Sequence, residues 1–163
     1  MNNFQKRAAE YFAKANIVIT DEEKEKIEIA DFGLNDIEKT GLELITYINT
    51  DRVCAKEMVL FPYQTCPEHK HPGENGKEET FRCRWGEVYL YVQGDETENK
   101  SAAPPEGKYT VFHEIKLMPG QQHTIYPNTL HWFQAGKDGA VISEFSTHSS
   151  DETDIFTDER IVR

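Results

Sequence analysis

The sequence predicts an all-β protein, an antiparallel barrel or jelly roll preceded by two helices. Three observations predict it. From Gly41 onward, short runs rich in β-branched and aromatic residues are separated by Gly, Pro, Asn and Asp. Several of these runs alternate by two: within Glu87–Val92, Val88, Leu90 and Val92 share one face and Glu87, Tyr89 and Tyr91 the other. Apolar residues at helical spacing are confined to residues 1–32.

In chain order, Phe4, Ala8, Phe12 and Ala15 form one stripe of a first helix, with Tyr11 beside it. Thr20 and Glu23 make a capping-box pattern that starts a second helix, which carries Ile27 and, less regularly, Ile29 and Ala30 inward. After Gly33 the texture changes. Strands are expected near Leu42–Asn49, Ala55–Phe61, Thr80–Arg84, Val88–Gln93, Tyr109–Leu117, His123–Ile125, His131–Ala135 and Val141–Phe145. Residues 94–108 hold almost nothing apolar and read as a surface loop or lid. No repeat or second compositional region appears. The chain is therefore read as one domain, 1–163: a helical segment over 1–32 packed on the barrel, the barrel over 41–147 and a tail over 148–163.

Charge excludes several classes. A net charge of −11 repels nucleic acid and anionic lipid, and no basic stripe offsets it. No run approaches the roughly 20 apolar residues of a membrane span, and the N-terminus lacks the apolar core of a signal peptide. A cytoplasmic protein is expected. Cys54, Cys66 and Cys83 are odd in number and lack CxxC spacing, which suits buried free thiols in a reducing compartment.

The chemistry is concentrated in Cys66-Pro-Glu-His69-Lys-His71, followed by a Pro/Gly loop, Glu79 and Gly86. On an extended strand His69 and His71 point the same way, because side chains alternate. Glu79 brings a carboxylate at the start of the next strand, and Gly86 supplies a turn. Downstream, Pro127-Asn-Thr-Leu-His131 offers a third imidazole at a strand start. Glu74 and Glu78 lie in the same loop as Glu79 and are alternative carboxylates; six intervening residues to Gly86 favour Glu79. Three imidazoles and one carboxylate suit a single divalent ion, Mn2+, Fe2+, Co2+ or Zn2+.

These spacings resemble the two sequence motifs of the cupin superfamily, whose metal sites use two His, one Glu and a third His. The loop between His71 and Glu79 is longer than usual for that pattern. A closer resemblance runs along nearly the whole chain. Asp31-Phe-Gly-Leu34, Asn49-Thr-Asp-Arg52, Lys56-Glu-Met-Val-Leu-Phe-Pro62, the Cys66–His71 segment, Glu79-Thr-Phe-Arg-Cys-Arg84, Trp132-Phe-Gln-Ala-Gly136 and Asp154-Ile-Phe-Thr-Asp158 are similar to the short, single-cupin form of the bacterial D-lyxose isomerase family.

That resemblance implies a cupin jelly-roll barrel and a metal-dependent aldose–ketose isomerase. It would interconvert D-lyxose and D-xylulose, and D-mannose and D-fructose, through a cis-enediolate, with Mn2+ as the first choice of metal. Glu144, on a late strand, faces either solvent or the cavity; the resemblance makes it the general base. Lys56, thirteen residues before His69, is either an exposed strand lysine or a group that handles the oxygen-bound proton and binds substrate. On this view Asp154, Arg160 and Trp132 are further substrate contacts; alternatively the tail that carries Asp154 and Arg160 closes the barrel mouth or a dimer interface, and Trp132, Tyr89, Tyr91 and Phe133 either wall the pocket or are core. A homodimer is expected, since such barrels pair at their edges. Two other classes share the fold: an Fe2+ dioxygenase, and a nonenzymatic sugar-binding cupin in which Lys56 and Glu144 would be idle. A phosphosugar isomerase is disfavoured by the acidic balance and the lack of a Gly-rich phosphate cradle.

Overall fold

An antiparallel ribbon folded over on itself forms the barrel in this computed structural model. The structure describes residues 1–162; Arg163, the last residue of the tail read above, lies outside the described residues. The ribbon is β5 (Glu79–Val92) paired with β8 (His131–Ser146) from end to end. The sequence reading divides each of these into two strands. The turn expected at Gly86 is instead a bend inside β5, with register slips at Cys83/Trp85 and Gly86/Val88. Gly86 has φ +75°, and a Cβ there would run into the Gly139 carbonyl of β8. Only glycine lets the two strands bend together.

Each arm of the bent ribbon carries further strands. On one arm β8 pairs with β4 (Thr65–Lys70), which pairs with the two-residue β9 (Ile155–Phe156). On the other arm β8 pairs with β3 (Cys54–Leu60), followed by β2 (Leu42–Asn49) and β1 (Glu28–Ala30). The strands β6 (His113–Leu117) and β7 (Gln122–Ile125) lie against β5. Because the ribbon is folded, the start of β5 and the start of β8 face each other across the interior, although Glu79 pairs with Ser146 and His131 with Val92. Nonlocal folding, not local spacing, therefore assembles the site.

Met58, Leu60, Phe81, Leu90, Phe133 and Ile142 fill the inside, each such burial stabilising by about 1.5–3 kcal/mol. Helix α1 (Asn3–Lys14) starts at a capping box between Asn2 and Gln5 and lays Ala8, Tyr11 and Phe12 on Val59, Phe61 and Val141 outside the barrel. A third cluster, Tyr91, Val111 and Trp132, lies beneath the long loop between β5 and β6.

Four local readings need correction. Helix α2 does start at the Thr20 cap but is only Asp21–Glu25. Residues 28–30 form β1 on β2, because pairing with an open sheet edge outweighs weak helical spacing. The strand expected from Tyr109 begins at His113, since the Thr110 and Val111 N–H groups donate to the Glu68 carboxylate instead of a ladder. Strand β9 escapes the sequence reading, and β4, read only as the extended stretch that carries His69 and His71, is a full strand in a polar string, Thr-Cys-Pro-Glu-His-Lys. Among the described residues no helix is long and apolar enough to cross a membrane, and all three cysteines are buried and unbridged.

Candidate metal centre and active site

His69 lies near the end of β4, His71 one residue past it, Glu79 at the start of β5 and His131 at the start of β8. All four are buried, and one donor atom from each falls within 4.8 Å of all the others. Glu79 Oε1 is 3.1 Å from His71 Nε2 and 2.9 Å from His131 Nε2.

The outward nitrogens explain why these imidazoles suit a cation. His69 Nδ1 is 2.8 Å from the Pro67 carbonyl, and His131 Nδ1 is 2.9 Å from the Thr129 carbonyl. A carbonyl can only accept, so both Nδ1 atoms carry hydrogen and both Nε2 atoms present lone pairs inward. His71 Nδ1 meets a carboxylate, Asp154 Oδ1, at 2.6 Å. His131 Nε2 is buried without hydrogen-bond geometry to any partner. Such an atom is costly in an apolar interior unless something electrophilic meets it. The donor set therefore fits a divalent metal ion, with the outer contacts that orient metal-binding histidines already in place.

Electrostatics set His69 and His71 apart. Burial, followed by the neighbouring His131 and His71, holds His69 well below its usual range, so it is a neutral imidazole. Burial also opposes charge on His71, but contacts to Asp154 and Glu79 outweigh it and raise this group to about 9. Burial likewise opposes the Glu79 carboxylate, yet the Lys77 ammonium beside it holds it well below the usual carboxylate range.

Lys77 is the residue the sequence reading missed. Its ammonium lies 2.7 Å from Glu79 Oε2 and 2.5 Å from Glu144 Oε1, with all three side chains buried. Burial disfavours that charge, but the two carboxylates raise the lysine above its usual range. In the sequence it stands inside an acidic run that reads as solvated loop. The available signal was alternation: Lys77 and Glu79 are buried on either side of exposed Glu78, as in an extended segment. The exposure of Glu78 and Glu74 leaves Glu79 as the carboxylate facing the histidines.

Other expected site residues divide. Lys56 and Glu144 are cross-strand partners on β3 and β8, both buried, and both line the cavity beside the cluster. Lys56 Nζ donates to Ser149 Oγ at 3.0 Å and lies 3.4 Å from Asp151 Oδ1, which draws the tail across the barrel mouth. Asp154 also lines the cavity, where it holds His71. Trp132 does not reach it. One residue beyond inward-facing His131, it points the other way, stacks on Tyr91 at 4.0 Å and donates to the Val111 carbonyl. Tyr91 belongs to the same outer cluster, with Tyr89 packed against it, whereas Phe133 lines the cavity. Arg160 is half exposed at the tail, paired with Asp158 and Glu106. Phe32, Leu44, Met58, Phe133 and Phe156 are among the apolar residues that line the cavity.

A bent antiparallel barrel enclosing three histidines and one glutamate defines a cupin-like protein with a candidate metal centre. Its architecture is similar to that of the L-ribose isomerase of Acinetobacter sp. DL28 solved with L-ribose: the TM-score is 0.74 at 16% identity, covering 97% of this chain and 91% of that one. The family is then plain. The model of the D-lyxose isomerase family matches residues 8–163, and the chain belongs to that family. The D-lyxose/D-mannose isomerase of Thermosediminibacter oceani is 64% identical over 169 aligned positions, covering 100% of this chain and 93% of the relative. The D-lyxose ketol-isomerase of Cohnella laeviribosi is 60% identical over 163, covering 96% and 90%.

Proposed function

We propose that this protein is a ketol-isomerase that interconverts D-lyxose and D-xylulose and also accepts D-mannose, giving D-fructose, with His69, His71, Glu79 and His131 holding one Mn2+. The observation that carries this reading is a buried base, Glu144, ion-paired to Lys77 in the same cavity as the four converging donors. A dioxygenase has no need of that pair, and a binding protein would leave it idle. A divalent ion at the cluster supplies Lewis-acid polarisation of the sugar carbonyl and a template for its two oxygens.

The protein's own groups then supply the proton traffic. Glu144 takes the proton from C2 of the open-chain aldose and returns it to C1, passing through an enediolate. Lys77 pairs with Glu144 and fixes the position of its carboxyl group before the substrate enters. Lys56, across the strand pair from Glu144, serves the proton that leaves O2 and arrives at O1. Asp154 contributes by holding His71, and Trp132 and Arg160 are left without a substrate role. The working state is a cytoplasmic homodimer: three buried, unbridged thiols suit a reducing compartment, and the exposed Tyr47 and Phe145 offer apolar surface for a second copy.

The test is turnover of D-lyxose in deuterated water by metal-stripped protein, with and without Mn2+, followed by NMR. Metal-dependent D-xylulose carrying deuterium at C1 is expected. No turnover of lyxose or mannose with any divalent metal would refute the isomerase reading and leave oxygen uptake as the next assay. Xylulose free of deuterium would refute Glu144 as a solvent-exchanging base.

A further inference from the structure

The three histidines are not held alike. His69 and His131 each use the backbone carbonyl two residues earlier, Pro67 and Thr129, so their orientation is built into their own strands. His71 lies beyond the end of β4 and depends on Asp154, 83 positions away in the chain. What holds Asp154 therefore holds His71.

Asp154 immediately precedes β9, a strand of only two residues that pairs with His69 and Lys70. The same segment puts the Phe156 ring 5.4 Å from the His69 ring. Two ladder pairs are a weak anchor for a tail. The anchor is completed by Glu68, next to His69 but facing the opposite side and only 1% exposed. Its carboxylate accepts from the Thr157 hydroxyl at 2.6 Å, the Thr110 N–H and hydroxyl at 2.6 Å each and the Val111 N–H at 3.0 Å. Its backbone carbonyl also accepts from the Thr157 N–H at 3.1 Å. Four neutral donors around a buried carboxylate make charge-assisted hydrogen bonds stronger than ordinary ones. Glu68 thus clasps two segments, the loop before β6 and the tail just past β9.

We propose that Glu68, acting through Thr157, is a positioning residue of the metal centre: it fixes β9 on β4 and so sets the Asp154 carboxylate on His71. The inference rests on His71 being a metal ligand, as proposed above. Because Thr110 and Thr157 hold the same Oε1 atom, the two are a matched pair. Losing either hydroxyl costs one equivalent hydrogen bond, but only Thr157 leads to Asp154.

Metal-free protein is titrated with Mn2+, reading free ion by electron paramagnetic resonance, with the melting temperature of each metal-free variant recorded alongside. Asp154→Asn is expected to weaken Mn2+ binding about 10–100-fold, the usual cost of losing an outer-shell partner. Thr157→Val is expected to weaken it at least about threefold. Thr110→Val should lower the melting temperature as much as Thr157→Val does while leaving Mn2+ affinity within about twofold of wild type. Thr157→Val added to Asp154→Asn should change affinity no further, since the two act in series. Wild-type affinity in a folded Thr157→Val protein, equal losses in the two threonine variants, or additive losses in the double variant would each overturn the inference. Unaltered Mn2+ binding by His71→Ala would instead remove the metal-site reading beneath it, so the two failures are distinguishable.

Discussion

Replacing Lys77 with methionine tests the central charge arrangement most directly. Lys77 Nζ lies 2.7 Å from Glu79 and 2.5 Å from Glu144, with the side chains 6%, 1% and 5% exposed respectively. Methionine preserves much of the stem and removes the cation, leaving two buried carboxylates without their shared partner. Breaking a buried ion pair from one side costs about 3–5 kcal/mol. In a domain of this size each kcal/mol lowers the melting temperature by about 2–4 °C, so metal-free Lys77→Met should melt about 6–20 °C below wild type. Scanning calorimetry of chelator-treated protein measures it. The double variant Lys77→Met/Glu144→Gln should recover part of the loss, because glutamine leaves no second unpaired charge. With metal present, Lys77→Met should still lose at least about 100-fold in kcat, the lower range for a displaced general base. A variant with wild-type melting temperature and turnover would refute the role assigned to Lys77. Failure of the double variant to recover stability would refute the charge argument specifically.

Three other outcomes follow from particular contacts. Glu144→Gln should reduce kcat about 100- to 10,000-fold while Mn2+ binding stays within about threefold; joint loss of both would show that Glu144 supports the metal instead of moving a proton. Trp132→Ala should destabilise by about 3–5 kcal/mol yet leave KM for lyxose within about twofold, because the ring is buried outside the cavity; a large rise in KM with little loss of stability would reverse that placement. Glu43 should give the protein a pH-dependent stability, since burial raises its carboxyl to about 8 despite a hydrogen bond from Gln64 and the nearby Arg7. A raised acid is protonated in the folded state, so its contribution is complete below about pH 4.5 and fades as pH rises through about 8, amounting to several kcal/mol at about 1.4 kcal/mol per pH unit. Urea unfolding of wild type and Glu43→Gln across pH 5–9 measures this, and parallel curves would refute it.

Much of the chemistry was legible because it is local. His69-x-His71, the Glu79-to-Gly86 spacing and Pro127-x3-His131 each lie within a few residues, and strand alternation turns such spacings into faces. The same rule, applied once more, would have turned Trp132 away from the pocket as soon as His131 was turned towards it. The sequence by itself therefore determined the β-class, the Thr20 cap, the four candidate donors, and the strand that carries Glu144. It also marked the position whose glycine bends the ribbon, although reading it as a turn. Tertiary structure alone decided that Lys77 lies between Glu79 and Glu144, that residues 28–30 leave the helix for a sheet edge, and that Asp154 serves His71. Each of these depends on a partner distant in the chain, brought near when the β5–β8 ribbon folds over and the tail lies back on β4. Local propensity says which way a side chain points. What it meets there is set by long-range contacts, and a buried lysine within an acidic run becomes legible only when its two carboxylates come into place around it.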